Sequence, residues 1–140
     1  MKSSRRRSRE LALQALYAWQ LGGAPVEELA AHAAESDDFD KADEPFFRML
    51  LSGALREAVD LRQAIGPQLD RPWDELSPIE RGILMLAAYE LKFVTEVPFR
   101  VVVNEAVEIA KSFGGSDGYK YVNAVLDRLA RELRPRETAP

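Results

Sequence analysis

The chain has 140 residues, 46% of them hydrophobic and 30% charged, which suits one domain with its own core and excludes a disordered or fibrous protein. It contains no cysteine and one histidine, His32, so thiol catalysis, disulfides and His/Cys metal sites are excluded and a reducing, cytoplasmic compartment fits. The net charge of −4 is uneven: five of the 19 basic residues, Lys2, Arg5, Arg6, Arg7 and Arg9, fall in the first nine positions with no acid, leaving 14 against 23 acidic groups, and a basic tip on an acidic body points to a localised polyanion contact.

The first helix is predicted from Ser4 to Leu21. Its apolar stripe is Leu13, Leu16, Tyr17 and Leu21, with Ala12, Ala15 and Trp19 beside it, and Gly22-Gly23 ends it. Arg5 and Arg9 lie four apart and share a face. A short helix follows from Pro25 to about Ala34, and residues 36–42 read as an acidic, exposed loop. Asp43 caps the third helix, where Phe47, Leu50, Ala54, Ala58, Leu61 and Ile65 are spaced as one long buried stripe stopped by Gly66-Pro67. Trp73 to Leu76 forms a single turn. Ser77-Pro78-Ile79-Glu80 is a capping box with proline at the first helical position. The helix it starts runs to about Val94. Between Gly82 and Tyr89 it is apolar almost all round, which marks it as the central, most buried helix.

Two amphipathic helices then fill Pro98 to Leu133. The first has Phe99, Val102, Val103, Ala106, Ala110 and Phe113 on one face; the second has Val122, Val125, Leu126, Leu129 and Leu133. Between them, Gly114 is expected to take the left-handed conformation that closes the first helix, and Ser116 or Asp117 to cap the second. Lys120 and Tyr121 fall in the first turn of that helix. The run Val101-Val102-Val103 favours a strand locally, but its flanks keep the helical period. The fold class is therefore all-α, a single domain over 1–140 with about 1–4 and 135–140 as flexible, polar ends.

No apolar run reaches the ~18 residues of a membrane span, and the basic start lacks the apolar core of a secretory signal. No Ser/His/Asp arrangement, phosphate-binding glycine loop or Glu-x-x-His pair is present, and Glu105 and Glu108 read as a solvated face. These features describe a binding protein without catalytic residues, metal or cofactor. Two places suit a phosphate-bearing polymer. The arginines at 5, 6, 7 and 9 can each grip a phosphate through paired hydrogen bonds, or else form a solvated start. At the second place, Tyr119 and Tyr121 offer faces for bases, with Lys111, Asp117, Lys120 and Asn123 around them; packing of Tyr121 on Phe113 is the structural alternative.

The segments RRRSRELALQALYAWQ (5–20), VPFRVVVNEAVEIAKSFG (97–114) and KYVNAVLD (120–127) resemble the opening and close of the NusB family of bacterial transcription antitermination factors. The resemblance covers nearly the whole chain and is weakest between Ala24 and Trp73. It implies about seven helices, arranged as two small three-helix-like bundles packed around a long helix. It also implies binding of the single-stranded boxA element of nascent ribosomal RNA together with NusE, a small-subunit ribosomal protein, within the antitermination complex of RNA polymerase. On that resemblance Arg5, Arg6, Arg7 and Arg9 match the RNA-binding start, and Asp117, Lys120, Tyr121 and Asn123 match a second RNA-contacting corner, to which Lys111 is added by its position. Trp73, Glu75, Ile79 and Glu80 match the region that faces the ribosomal protein. Tyr121 stands where many members carry phenylalanine and keeps a stacking face. The competing readings are the RNA-binding accessory domain of a ribosomal RNA methyltransferase and a purely protein-binding helical scaffold.

Overall fold

A computed structural model of the chain describes residues 2–115 and 117–140. Among the described residues lie eight α-helices and no strand. The chain divides into two compact units, one up to Arg56 and one from Glu57 onward.

The first unit holds α1 (Ser4–Gly22), α2 (Val26–Ala33), a 3-10 turn (Phe39–Lys41) and α3 (Glu44–Arg56). Helix α1 begins where the Ser3 hydroxyl accepts the Arg6 N–H at 3.0 Å, satisfying one of the free amides of the first turn. It ends where Gly23, at φ 69°, turns its N–H back to the Trp19 carbonyl. Leu13 and Leu16 of α1, Leu29 of α2, and Phe47, Leu50 and Leu51 of α3 make the core. The predicted stripe on α1 extends too far: Tyr17 is 40% and Leu21 65% exposed. Burial runs instead over residues 8–13, 15 and 16. Within it Ser8 is fully buried, and its hydroxyl lies 2.7 Å from the Asp43 carbonyl and accepts the Asp43 N–H at 2.9 Å, pinning the start of α1 to the start of α3. The acidic loop is not wholly exposed either, because Phe39 turns inward and meets Phe47 edge-on at 6.0 Å.

The long third helix expected from the apolar spacing is two helices. Glu57, at φ −97° and ψ 13°, interrupts it, and α4 (Ala58–Ile65) follows. No glycine or proline marks the break. Phe47 to Ala54 bury in the first unit and Leu61 and Ile65 in the second, so each half of the stripe serves its own core.

In the second unit, short 3-10 turns at Gly66–Gln68 and Trp73–Glu75 lead to α5 (Pro78–Phe93). The capping box forms as read: Glu80 N–H donates to the Ser77 hydroxyl at 3.1 Å and Ser77 N–H to the Glu80 carboxylate at 3.0 Å. Every residue from Gly82 to Leu91 is buried. Helices α6 (Phe99–Phe113) and α7 (Gly118–Leu133) pack on α5 and on each other. The buried face of α6 is Val102, Ala106, Ile109 and Ala110, rotated from the predicted one, while Phe99 and Val103 are half-buried and Phe113 is exposed. The face of α7 is as predicted through Leu129, and Leu133 is half-buried.

Gly114 does not take the left-handed conformation. It is extended, at φ −91° and ψ −177°, and a Cβ there would stand 2.8 Å from the Ala110 carbonyl oxygen. Close approach, not positive φ, is what requires glycine. Ser116, one of the two expected caps, lies outside the described residues. Asp117 occupies the cap position of α7 without a side-chain hydrogen bond to the helix.

The end predicted as flexible, 135–140, contains α8 (Pro135–Thr138), and Arg134 just before it is buried. Arg134 donates Nε to the Leu91 carbonyl at 2.8 Å, Nη2 to Glu90 and Val94 at 3.0 and 3.1 Å, and Nη1 to Val97. These are the carbonyls around the C-terminus of α5, where a cation also meets the negative end of the helix dipole. Glu137 pairs with Arg134 at 2.9 Å and accepts the Phe99 N–H at 2.6 Å, capping the start of α6.

Candidate nucleic-acid interface

In the first unit the arginines occupy the first turns of α1, where Ser3 starts the helix and Ser8 fixes it to Asp43. They are more structured than a solvated tip. The Arg5 guanidinium lies 4.3 Å from the Phe46 ring centroid and 3.7 Å from the Asp43 carboxylate. Arg9 lies 5.0 Å from the same ring and is only 5% exposed. Phe46 thus carries two guanidinium groups, an arrangement favoured by the negative face of the ring. Lys2 pairs with Glu10 at 3.0 Å. Arg6 and Arg7 are half-buried, and the Arg7 Nε is buried without a hydrogen-bond partner. Of the acids that offset part of the basic charge, Glu10 directly follows Arg9 in sequence, whereas Asp43 is far from the cluster in sequence and the charge pattern alone does not show it.

In the second unit the corner at the start of α7 gathers the other predicted residues. Tyr119 stands between two lysines, with Lys111 Nζ 5.2 Å and Lys120 Nζ 6.0 Å from its ring centroid. Each lysine also has a carboxylate beside it: Glu108 at 3.5 Å from Lys111 and Asp117 at 3.4 Å from Lys120. Asn123 is exposed one turn further along, on an open groove of ≈ 1020 Å³ between α6 and α7 that Tyr119, Lys120, Val103 and Val107 also line.

Tyr121 faces a different group. Its ring lies under the guanidinium of Arg71, 4.5 Å away, and among the described residues it makes no ring contact with Phe113. Arg71 is itself held by Asp70, through Nε at 2.8 Å and Nη2 at 3.4 Å. The guanidinium keeps the Asp70 carboxyl below its ordinary value, so Asp70 is charged at neutral pH. Burial, followed by the nearby Asp70 carboxylate, pushes the Tyr121 phenol above its ordinary value, although its buried Oη has no partner in hydrogen-bonding geometry. Asp70 and Arg71 are functional candidates that sequence reading missed. They sit some fifty positions from Tyr121 in an irregular segment, with no periodic or motif signal to join them.

The residues expected at the protein-binding region occupy the 3-10 turn before α5 (Trp73, Glu75) and the first turn of α5 (Ile79, Glu80). Trp73 is half-buried beneath Arg62, 5.7 Å from its ring centroid; Glu75 is exposed and Ile79 half-buried. Glu80 serves the capping box through one oxygen, and its other oxygen lies 3.6 Å from where a Cβ on Gly118 would stand. Glu80 therefore lies beside the start of α7. Among the described residues no group of three metal-ligating side chains occurs, and no helix is long and apolar enough to cross a membrane.

A sequence model of the NusB family matches residues 6–131. The chain belongs to the NusB family. It is 55% identical to the transcription antitermination protein NusB of Burkholderia cenocepacia (strain HI2424) over 137 residues, covering 98% of this chain and 94% of that one. The NusB of Paraburkholderia phytofirmans is likewise 55% identical, over 138 residues, with 99% and 96% covered. The fold agrees with that of T. maritima NusB at a TM-score of 0.86 and 32% identity, covering 98% of this chain and 97% of that one. It also agrees, at a TM-score of 0.79 and 25% identity, with a structure of the antitermination factors NusB and NusE in complex with double-stranded RNA, where 91% of this chain and 96% of that chain are covered.

Proposed function

We propose that the chain is a transcription antitermination factor that binds the boxA element of nascent ribosomal RNA as a heterodimer with NusE and supports processive elongation by RNA polymerase. The near full-length match to curated antitermination proteins carries this reading, and the structure of a relative with NusE and RNA supports the choice of partners. The two basic sites give it a physical basis. Arg5, Arg6 and Arg7 contact phosphates from the first turns of α1, while buried Arg9 holds Phe46 beneath Arg5. Lys111, Lys120 and Asn123 contact RNA around Tyr119 and Tyr121, and Trp73, Glu75, Ile79 and Glu80 face the ribosomal protein. The chain acts by binding alone, without catalysis or cofactor, in the cytoplasm.

Each site is small and partly offset by carboxylates, so the protein alone binds RNA weakly, and a partner with its own basic surface lengthens the RNA track. Fluorescence anisotropy of a labelled boxA oligoribonucleotide, titrated with and without NusE, tests this. Tight binding is expected only with NusE present. Equal affinity in both titrations would refute the cooperative reading, and no binding in either would refute RNA recognition altogether.

A further inference from the structure

The pairing of Arg71 with Tyr121 changes how the second site can meet a base. A ring that is half-buried and covered by a guanidinium at 4.5 Å has that face occupied. We propose that an RNA base stacks on the outer face of the Arg71 guanidinium, with Tyr121 beneath it and Asp70 fixing its plane. This rests on the RNA-binding reading above and adds two residues to it: Arg71 as a base contact and Asp70 as its positioning residue.

The geometry supplies each requirement of a stacking platform. A guanidinium is planar and stacks on bases as aromatic side chains do. Asp70 engages two of the five N–H donors, at Nε and Nη2, which fixes the orientation of the fork. Three donors remain, and the Arg71 side chain is 46% exposed, so its outer side is open. Tyr121 underneath supplies a cation–π contact and blocks collapse of the guanidinium onto the core. Asp70 also acts as a guard. It offsets the charge of Arg71 as Asp117 offsets that of Lys120. A bare phosphate chain then gains little here, whereas a base gains a flat surface. Such a corner selects unstacked, single-stranded RNA over general polyanions.

The test uses the full chain with NusE, an intact oligoribonucleotide and a set of oligoribonucleotides with a single abasic position moved along the element. Arg71→Lys keeps the charge and loses the plane. It is expected to weaken binding of intact RNA about fivefold to tenfold, with the slope of log affinity against log salt unchanged. One abasic position should weaken the wild type by a similar factor and leave Arg71→Lys unaffected, a signature that a merely structural arginine would not produce. Arg71→Ala combined with Tyr121→Ala should be no weaker than the worse single variant within about twofold, because the two act as one platform. The inference is overturned if Arg71→Lys binds as the wild type does, or if its loss is the same on every abasic RNA. If Arg6→Ala with Arg7→Ala weakens binding while Arg71 variants do not, RNA binding stands and this inference alone fails. If the wild type binds no RNA with NusE present, both fail.

Discussion

Replacing Arg134 tests how the second unit is held together. Arg134 is 7% exposed, and its guanidinium donates to four carbonyls. Two of them have another donor: Val94 N–H reaches the Glu90 carbonyl and Val97 N–H the Val94 carbonyl. The Leu91 and Val97 carbonyls have no backbone donor besides Arg134 among the described residues. Arg134→Met fills similar space but leaves these two acceptors unsatisfied at about 1–3 kcal/mol each and removes the cation from the end of α5. The sum is about 3–5 kcal/mol, the usual cost of breaking a buried charged network. At this chain length that corresponds to a fall in Tm of about 10–15 °C. Arg134→Lys should recover less than half of it, because one ammonium cannot span four carbonyls around a turn. Urea unfolding followed by circular dichroism is the assay, with a lower midpoint and an unchanged slope expected. A loss below about 1 kcal/mol for Arg134→Met would show that water replaces the guanidinium and that the cap is incidental.

Three further outcomes are expected. If the heterodimer neutralises about four to six phosphates, log affinity should fall with log salt at a slope of about −3 to −4, and Arg6→Ala with Arg7→Ala should make it shallower by about 1 to 1.5; an unchanged slope would assign these arginines to solubility alone. Asp117→Asn should tighten RNA binding while leaving Tm within about 1 °C, since Asp117 pairs with Lys120 and makes no side-chain cap to α7; weaker binding would show that the carboxylate positions Lys120 for RNA. The bond from Phe99 N–H, then Arg134, keeps the Glu137 carboxyl below its ordinary value of 4.5. A depressed carboxyl adds stability above that value and loses it as pH falls through the lowered one. Glu137→Gln should therefore melt below the wild type at pH 7, the two curves converging in acid; parallel curves across the range would refute the linkage.

The sequence carried the helices well where local signals and burial agree. The Ser77–Glu80 box and the apolar run after Gly82 each specify their outcome within a few residues, and both appear as read. Periodicity misled where tertiary context decides. The spacing from Phe47 to Ile65 is continuous, yet the two ends belong to different units, and nothing local at Glu57 records the change. On α6 the apolar residues are plentiful enough to permit two faces, and packing on α5 and α7 selects Ile109 over Phe113. Gly114 was legible as a required glycine but for the wrong reason, since a contact with the Ala110 carbonyl depends on the path of the loop. The candidate sites divide the same way. Residues adjacent in sequence, such as Lys120 and Tyr121, were readable, whereas Asp70 and Arg71 and the role of Phe46 under Arg5 and Arg9 exist only once the chain is folded.

The cap at the end of α5 also has a place in time. Arg134 follows the carbonyls it serves by 37 to 44 residues. At a synthesis rate of about 5–20 residues per second, the end of α5 is synthesised about 2–8 s before its cap. During that interval the turn from α5 into α6 exists without the arginine that ties its carbonyls, so the fastening of α5 waits on a residue made after both α6 and α7.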